Sequence, residues 1–357
     1  MRVLMVTDTA FNGGYVHVSF LSKELKKHNV DLEILSYSKT PVPGVKTRRV
    51  ASLGFPGIFY KLSLKGISRL VKPFDLVHIH YCSGTLDLMA NKIKNLGKPL
   101  VGTIHVSPDG KNWIDRIFRI YFRGFLKPCL MASDKVICVS RFVERGLREL
   151  GIQNTQAIYN GVDLEVFHPE PGARKVLGIP ESDFVILYVG RLSPEKGVLL
   201  LLKAFKRLKI PNKKLYIIGS GPLEKLCRLY SKNRRDVVFL GRIETAKLRL
   251  YYSAADVSVL PSLWNEAFGM VLIESLACET PVIASRAGGI PEIVDHGKNG
   301  FLVEKPHVSE WISRIQESRK QDLQSLGRNG REKVEKNFQW KISGGKTFQV
   351  YKSLLGS

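Results

Sequence analysis

A chain of 357 residues with 44% hydrophobic and 24% charged residues has the make-up of a globular protein with room for two ordinary domains, which excludes a disordered or fibrous chain. No apolar run approaches the roughly 18 residues a spanning helix needs, so none is expected. The net charge of +23 favours anionic partners, and it is spread about evenly along the chain, so no basic tail accounts for it.

The opening MRVLMVTDT turns polar too soon for a signal peptide and reads as a first strand. It leads to FNGGYVHVSF, where Gly13 and Gly14 are expected immediately ahead of a helix. A helix N-terminus offers free N–H groups and partial positive charge, which suits an anion. The spacing is not the Gly-x-Gly-x-x-Gly fingerprint, so a nicotinamide cofactor is not supported. Apolar runs predict further strands at 31–36, 75–80, 100–105 and 135–140, with helical spacing between them. The stretch YNGVDLEVFHPEPGARK then reads as a linker, from Asn160-Gly161 and its Pro/Gly content. A second series of strands is predicted at 184–190, 214–219, 237–241, 256–261 and 281–285. The fold class is therefore α/β, two doubly wound domains, each with a parallel sheet covered on both faces and facing a central cleft. In such sheets ligands bind outside the carboxyl ends of the strands. Five scattered cysteines (Cys82, Cys129, Cys138, Cys227, Cys278) are odd in number, lack metal-ligand spacing and read as reduced thiols of a cytoplasmic protein.

Three stretches carry chemistry. In YVGRLSPEKG a strand ends at Gly190, and Arg191 and Lys196 follow; a fork and a point charge are complementary ways of holding a diphosphate, although two basic residues in so basic a chain are weak evidence by themselves. In IIGSGP, Gly219 and Gly221 either let backbone approach a ligand or simply make a turn. In NEAFGMVLIE, Glu266 and Glu274 stand eight positions apart. Were both helical they would be separated by about 12 Å along the axis, too far to act as one acid/base pair. If Glu266 instead lies in the loop and FGM opens the helix, the amides of Phe268, Gly269 and Met270 fall between two carboxylates. A nucleoside diphosphate sugar fits that order: sugar at Glu266, phosphates at the amides, ribose at Glu274. Trp264 and Phe268 are equally core or substrate platforms on sequence grounds. His78 and His80 share one face of a strand, where packing is expected and not metal ligation.

GRLSPEKG, IIGSGP, PSLWNEAFGMVLIESLA, TPVIASRAGGIPEIV and the early NGG occur in an order that resembles family 4 of the retaining glycosyltransferases, of GT-B fold. The resemblance covers nearly the whole chain and is strongest from 185 to 305. It implies a Rossmann-like acceptor-side domain over 1–165, a nucleotide-sugar domain over 166–336 and a C-terminal helix over 337–357 that crosses back to the first. It also implies hexose transfer with retention at the anomeric carbon, with neither metal nor cofactor. By residue, it implies that Arg191 and Lys196 neutralise the leaving diphosphate, that Glu266 holds the sugar hydroxyls and that Glu274 binds ribose. His105 would lie beside the transferred sugar, Gly14 with Gly13 would touch the diphosphate, and Ile243 would mark the main chain that holds the base. One position departs: the family usually has glycine where Glu279 stands, so the loop after the Glu274 helix is expected to end differently.

Two basic stretches remain. IFYKLSLKGISRLVK aligns Lys61, Lys65, Arg69 and Lys72 when wound as a helix, opposite residues that include Ile67 and Val71; from Ile34 to Phe74 the chain has eight Lys/Arg and no acid. WIDRIFRIYFRGFLK sets Trp113 and a broad apolar face against Arg116, Arg119 and Arg123. Both have the form of interfacial membrane helices and also of ordinary domain helices; membrane contact by at least one is the expectation. The expected partners are a UDP- or GDP-linked sugar donor, a lipid-linked or cell-envelope glycan acceptor, and an anionic membrane surface on the cytoplasmic side. A nucleotide-sugar epimerase or hydrolase of the same fold is the nearer alternative. A basic nucleic-acid-binding protein is the remote one, and no clustered RNA-binding signature supports it.

Overall fold

The computed structural model describes residues 1–7, 12–36, 41–49, 66–81, 89–106 and 122–356. The chain divides into two compact units, Met1–Gly161 together with Trp340–Ser357, and Val162–Gln339.

The first unit is built on seven strands: β1 (Arg2–Thr7), β2 (Asp31–Ser36), β3 (Lys46–Arg49), β4 (Leu76–Tyr81), β5 (Leu100–Ile104), β6 (Lys135–Cys138) and β7 (Thr155–Ala157). They pair in parallel in the order β3-β2-β1-β4-β5-β6-β7. β4 and β5 are buried along their whole length, as strands covered on both faces must be, and the polar side chains they bury, His78, His80 and Thr103, are the exceptions in otherwise apolar runs. Met5 sits between Ile34 and His78 in register and joins a core with Leu21, Leu25 and Val101. The helix Asn12–Lys27 crosses from β1 to β2 and begins at Asn12, so Gly13 and Gly14 lie inside its first turn and not ahead of it. Trp340–Leu355, the last helix, belongs to this unit: Trp340 stacks on Phe20 at 5.5 Å, and Val350 and Tyr351 complete the core.

The second unit has β8 (Phe184–Val189), β9 (Lys213–Ile218), β10 (Val237–Gly241), β11 (Val257–Leu260), β12 (Val282–Ser285) and β13 (Gly300–Val303), parallel in the order β10-β9-β8-β11-β12-β13. Ile186, Tyr188, Phe205, Ile217 and Trp311 fill its core. In each sheet the strand order reverses once, between β1 and β4 in the first and between β8 and β11 in the second. Loops leaving strands on either side of such a reversal diverge and open a crevice at the carboxyl ends, which places the segments after β8 and β11 at a binding position.

The basic stretches are described only at their ends. Ile67 and Val71, in the short helix Ile67–Val71, are buried in the first unit while Arg69 and Lys72 are exposed; Phe122 and Leu126 are buried around an exposed Arg123. Ile67 and Val71 are thus committed to the core and form no part of a membrane face. Lys61, Lys65, Trp113, Arg116 and Arg119 lie outside the described residues. No helix among the described residues is long and apolar enough to cross a membrane. Cys129, Cys138, Cys227 and Cys278 are buried free thiols, and Cys82 lies outside the described residues.

Candidate active site

In the second unit, β8 runs out at Val189 and the chain turns through Gly190 and Arg191 to Leu192, which is wholly buried and anchors the loop. The buried Tyr188 hydroxyl donates to the Arg191 carbonyl at 2.8 Å, fixing the backbone while leaving the Arg191 side chain exposed. That guanidinium has no ion-pair partner among the described residues. Lys196 follows in the short 3-10 turn Pro194–Lys196, ahead of the helix Val198–Arg207.

Glycines shape this loop. Gly219 (φ 144°) and Gly221 (φ 154°) follow β9, and a Cβ on Gly219 would lie 1.8 Å from the Gly190 carbonyl oxygen, while one on Gly221 would lie 2.5 Å from that of Leu192. Close packing of backbone on backbone therefore accounts for both, and what they carry is the loop that holds Arg191.

Lys196 meets Glu266 directly, its Nζ donating to both carboxylate oxygens at 2.6 and 2.8 Å. The buried Ser262 hydroxyl donates to the same carboxylate from the end of β11. The Glu266 backbone is clamped as well, bridging to Gly288 with its carbonyl accepting from Gly289 N–H at 2.8 Å. Two of the proposed residues, distant in sequence, thus form one polar centre in which the carboxylate already has a cation.

Glu266 lies in the loop and the helix Met270–Ala277 opens after Gly269, whose φ of 117° only glycine adopts readily. No side chain caps the start of this helix. Phe268 is buried against Phe338 at 5.7 Å and is a core residue, whereas Trp264 is 37% exposed. Glu274 stands one turn inside the helix, half-buried, and accepts from the Tyr252 hydroxyl at 3.0 Å. Burial pushes its carboxyl up to about 7, opposed in part by the Tyr252 hydrogen bond. Ile243 is half-buried in the turn between β10 and the helix Thr245–Ala254.

Glu279 stands two residues beyond this helix. Glu279 N–H bonds the Leu276 carbonyl at 3.1 Å and Thr280 N–H the Ser275 carbonyl at 3.0 Å, the pair that defines a Schellman end. The expectation of a different loop end is therefore incorrect: the turn is the ordinary one, and Glu279 occupies its left-handed position at φ 57°.

In the first unit, His105 follows β5 and gathers with His17, His78 and His80. His17 Nδ1 bonds Asn160 Oδ1 at 2.9 Å, and His78 bonds the Tyr351 and Thr103 hydroxyls at 2.6 and 2.7 Å. His80 Nδ1 and His105 Nε2 are 3.1 Å apart, with the two rings stacked. Burial lowers all four, His17 to about 4 and His78 to about 3, so the cluster is neutral at pH 7. One nitrogen each from His17, His80 and His105 lie within 4.8 Å of one another. Two nitrogens on a single zinc span at most about 4.2 Å, and no carboxylate joins the set, so the trio would have to close up to hold an ion.

Sequence reasoning missed Ser262, Tyr252, Gly288 and His17. Ser262 and Gly288 stand inside PSLWNEAFGMVLIESLA and TPVIASRAGGIPEIV, where the sequence assigns them no role; nothing in the sequence joins Tyr252 to Glu274 or His17 to His105.

The family model for Glycosyltransferase Family 4 matches residues 11–166, and that for Glycosyl transferases group 1 matches residues 170–333. A protein of Methanocaldococcus jannaschii described as an uncharacterized glycosyltransferase is 32% identical, with 99% of each chain covered. The D-inositol 3-phosphate glycosyltransferase of Mycolicibacterium smegmatis is 29% identical over 92% of this chain and 83% of its own. Among solved structures, sucrose-phosphate synthase from Thermosynechococcus elongatus superimposes with a TM-score of 0.83 at 25% identity, covering 100% of this chain and 99% of its own.

Proposed function

Because the chain belongs to the family 4 glycosyltransferases, of GT-B fold, we propose that it moves a hexose from a UDP- or GDP-linked donor, with retention and without a metal ion, to a lipid-linked or cell-envelope glycan acceptor. The observation that carries this reading is the contact of Lys196 with Glu266, a cation and a carboxylate from the segments that follow β8 and β11, with Arg191 on the same loop as Lys196 and without an ion-pair partner among the described residues.

Breaking the bond between sugar and nucleoside diphosphate builds negative charge on phosphate and oxocarbenium character on the sugar. Arg191 and Lys196 stabilise the leaving diphosphate, together with the amides of Phe268, Gly269 and Met270 at an uncapped helix start. Glu266 accepts hydrogen bonds from sugar hydroxyls, so Lys196 divides its donors between this carboxylate and phosphate once the donor binds. Glu274 accepts from the ribose hydroxyls, Gly13 and Gly14 lie against the diphosphate, main chain near Ile243 holds the base, and His105 contacts the transferred sugar. The leaving phosphate assists deprotonation of an acceptor that attacks from the same face. The exposed Arg69, Lys72 and Arg123 belong to a basic surface that draws the protein to an anionic membrane on the cytoplasmic side.

Thermal shifts with UDP-, GDP- and ADP-sugars, with and without EDTA, test the donor reading. Stabilisation by one nucleotide class, unchanged by EDTA and lost in Glu274→Ala, is expected; loss of the shift on adding EDTA refutes metal-free binding. Co-sedimentation with vesicles rich in anionic lipid, absent with neutral vesicles, tests the membrane.

A further inference from the structure

The contact between His80 and His105 restricts where protons sit. His80 is buried and His105 half-buried, and desolvation holds both well below the ordinary histidine value, so both are neutral and each carries one hydrogen. A hydrogen bond between His80 Nδ1 and His105 Nε2, 3.1 Å apart, requires that one nitrogen carry hydrogen and the other a lone pair. Were His105 the donor, the His80 hydrogen would sit on Nε2, which is buried without a hydrogen-bond partner among the described residues. A buried N–H with no acceptor is among the rarest features of folded proteins, and an unused lone pair is tolerated more readily. His80 therefore donates and His105 accepts, which leaves the His105 hydrogen on Nδ1.

We propose that His80 is a positioning residue whose Nδ1–H fixes His105 as the Nδ1–H tautomer, so that His105 meets the donor sugar as a hydrogen-bond donor to a hydroxyl oxygen. With Nε2 engaged by His80, that nitrogen is withdrawn from service as a base. Stacking of His78 on His80 at 4.3 Å between rings, with His78 tied to Thr103 and to Tyr351 of the last helix, keeps the His80 ring in place. The consequence for specificity is a requirement for an oxygen acceptor on the sugar. This inference rests on the sugar contact assigned to His105.

Long-range ¹⁵N–¹H correlation spectra of histidine-labelled protein, assigned with single variants, read the tautomer without reference to activity. His105 protonated on Nδ1 and bare on Nε2 is expected; the opposite pattern overturns the inference. Kinetically, His80→Leu removes the donor and is expected to lower kcat about 10-fold or more, the scale on which one lost orienting hydrogen bond acts. His80→Asn, whose amide N–H reaches the position of Nδ1, restores kcat to within about 3-fold and keeps the tautomer, whereas His80→Gln, which places its amide nearer Nε2, does not. Equal activity of His80→Leu and wild type overturns the proposal, as does failure of a folded His80→Asn to recover. Should the tautomer stand as expected while His105→Ala transfers sugar at the normal rate, the sugar contact fails and the hydrogen-bond assignment survives.

Discussion

Replacing Glu274 by Gln keeps the shape and the acceptor for Tyr252 while removing the charge. Burial raises this carboxyl from 4.5 to about 7 in the native protein. The folded state therefore holds the proton more tightly than the unfolded chain. Ionisation costs the native state nothing below about pH 4.5, an amount that grows between 4.5 and 7, and a constant amount above. At about 1.36 kcal/mol per pKa unit the full penalty approaches ~3.4 kcal/mol; with one edge of the side chain open to solvent, about 2–3 kcal/mol is the working expectation. Glu274→Gln escapes it. In urea unfolding of the second unit, followed by fluorescence of the buried Trp311, the variant should gain on wild type by about 1–2 kcal/mol between pH 5.5 and 7, then run parallel to it. Differences that stay constant from pH 5.5 to 8 would refute the argument that burial dominates this carboxyl. The same ionisation governs the donor: if ribose is held by the carboxylate, nucleotide affinity weakens toward 10-fold per pH unit below about pH 7, and Glu274→Gln abolishes that slope.

Lys196→Ala should lower turnover about 100-fold or more, as loss of one fixed charge-stabilising donor does; a near-normal rate in the folded variant would remove Lys196 from catalysis. Because Lys196 is bonded to both oxygens of Glu266, combining Lys196→Ala with Glu266→Gln should cost much less than the sum of the single effects in a double-mutant cycle, and strict additivity would show that the two do not act together. Glu279→Gly relieves a left-handed position and should stabilise the second unit by about 1 kcal/mol in urea unfolding; a destabilised variant would contradict the strain reading. Gly219→Ala forces a methyl against the Gly190 carbonyl and should cost about 3 kcal/mol or more, since backbone has to move; unfolding at the wild-type midpoint would show that the loop yields freely.

The strands legible in the sequence are those with long apolar runs, above all β1, β4, β5 and β8, which lie inside their sheets. Three went unread. β3 (KTRR) and β7 (TQA) are edge strands with a partner on one side only, so their free sides tolerate polar residues and they carry no apolar run. β13 (GFLV) opens on a glycine directly after Lys298-Asn299 and is an edge strand, so its short apolar run reads equally as the end of a turn. At the site, a loop position for Glu266 and a helix opening near FGM are one of two readings the local sequence allows, and the structure selects it with the helix starting at Met270, after Gly269. That Lys196 is bonded to Glu266, that Tyr252 faces Glu274 and that four histidines gather are facts of tertiary packing. Each joins residues from separate elements, and periodicity along one segment is blind to them.

The two units differ in how the chain completes them. The second is continuous, Val162–Gln339, and every residue of its core has been synthesised once Gln339 emerges. The first needs Val350 and Tyr351 of the helix Trp340–Leu355, so it stays unfinished until that helix has left the ribosome. Maturation order is thereby the reverse of chain order: the later segment can close first, while the earlier one waits with Phe20 lacking Trp340 and His78 lacking Tyr351. A chain released before Trp340 would carry a finished second unit attached to an open first one, with exposed apolar surface for quality control to recognise.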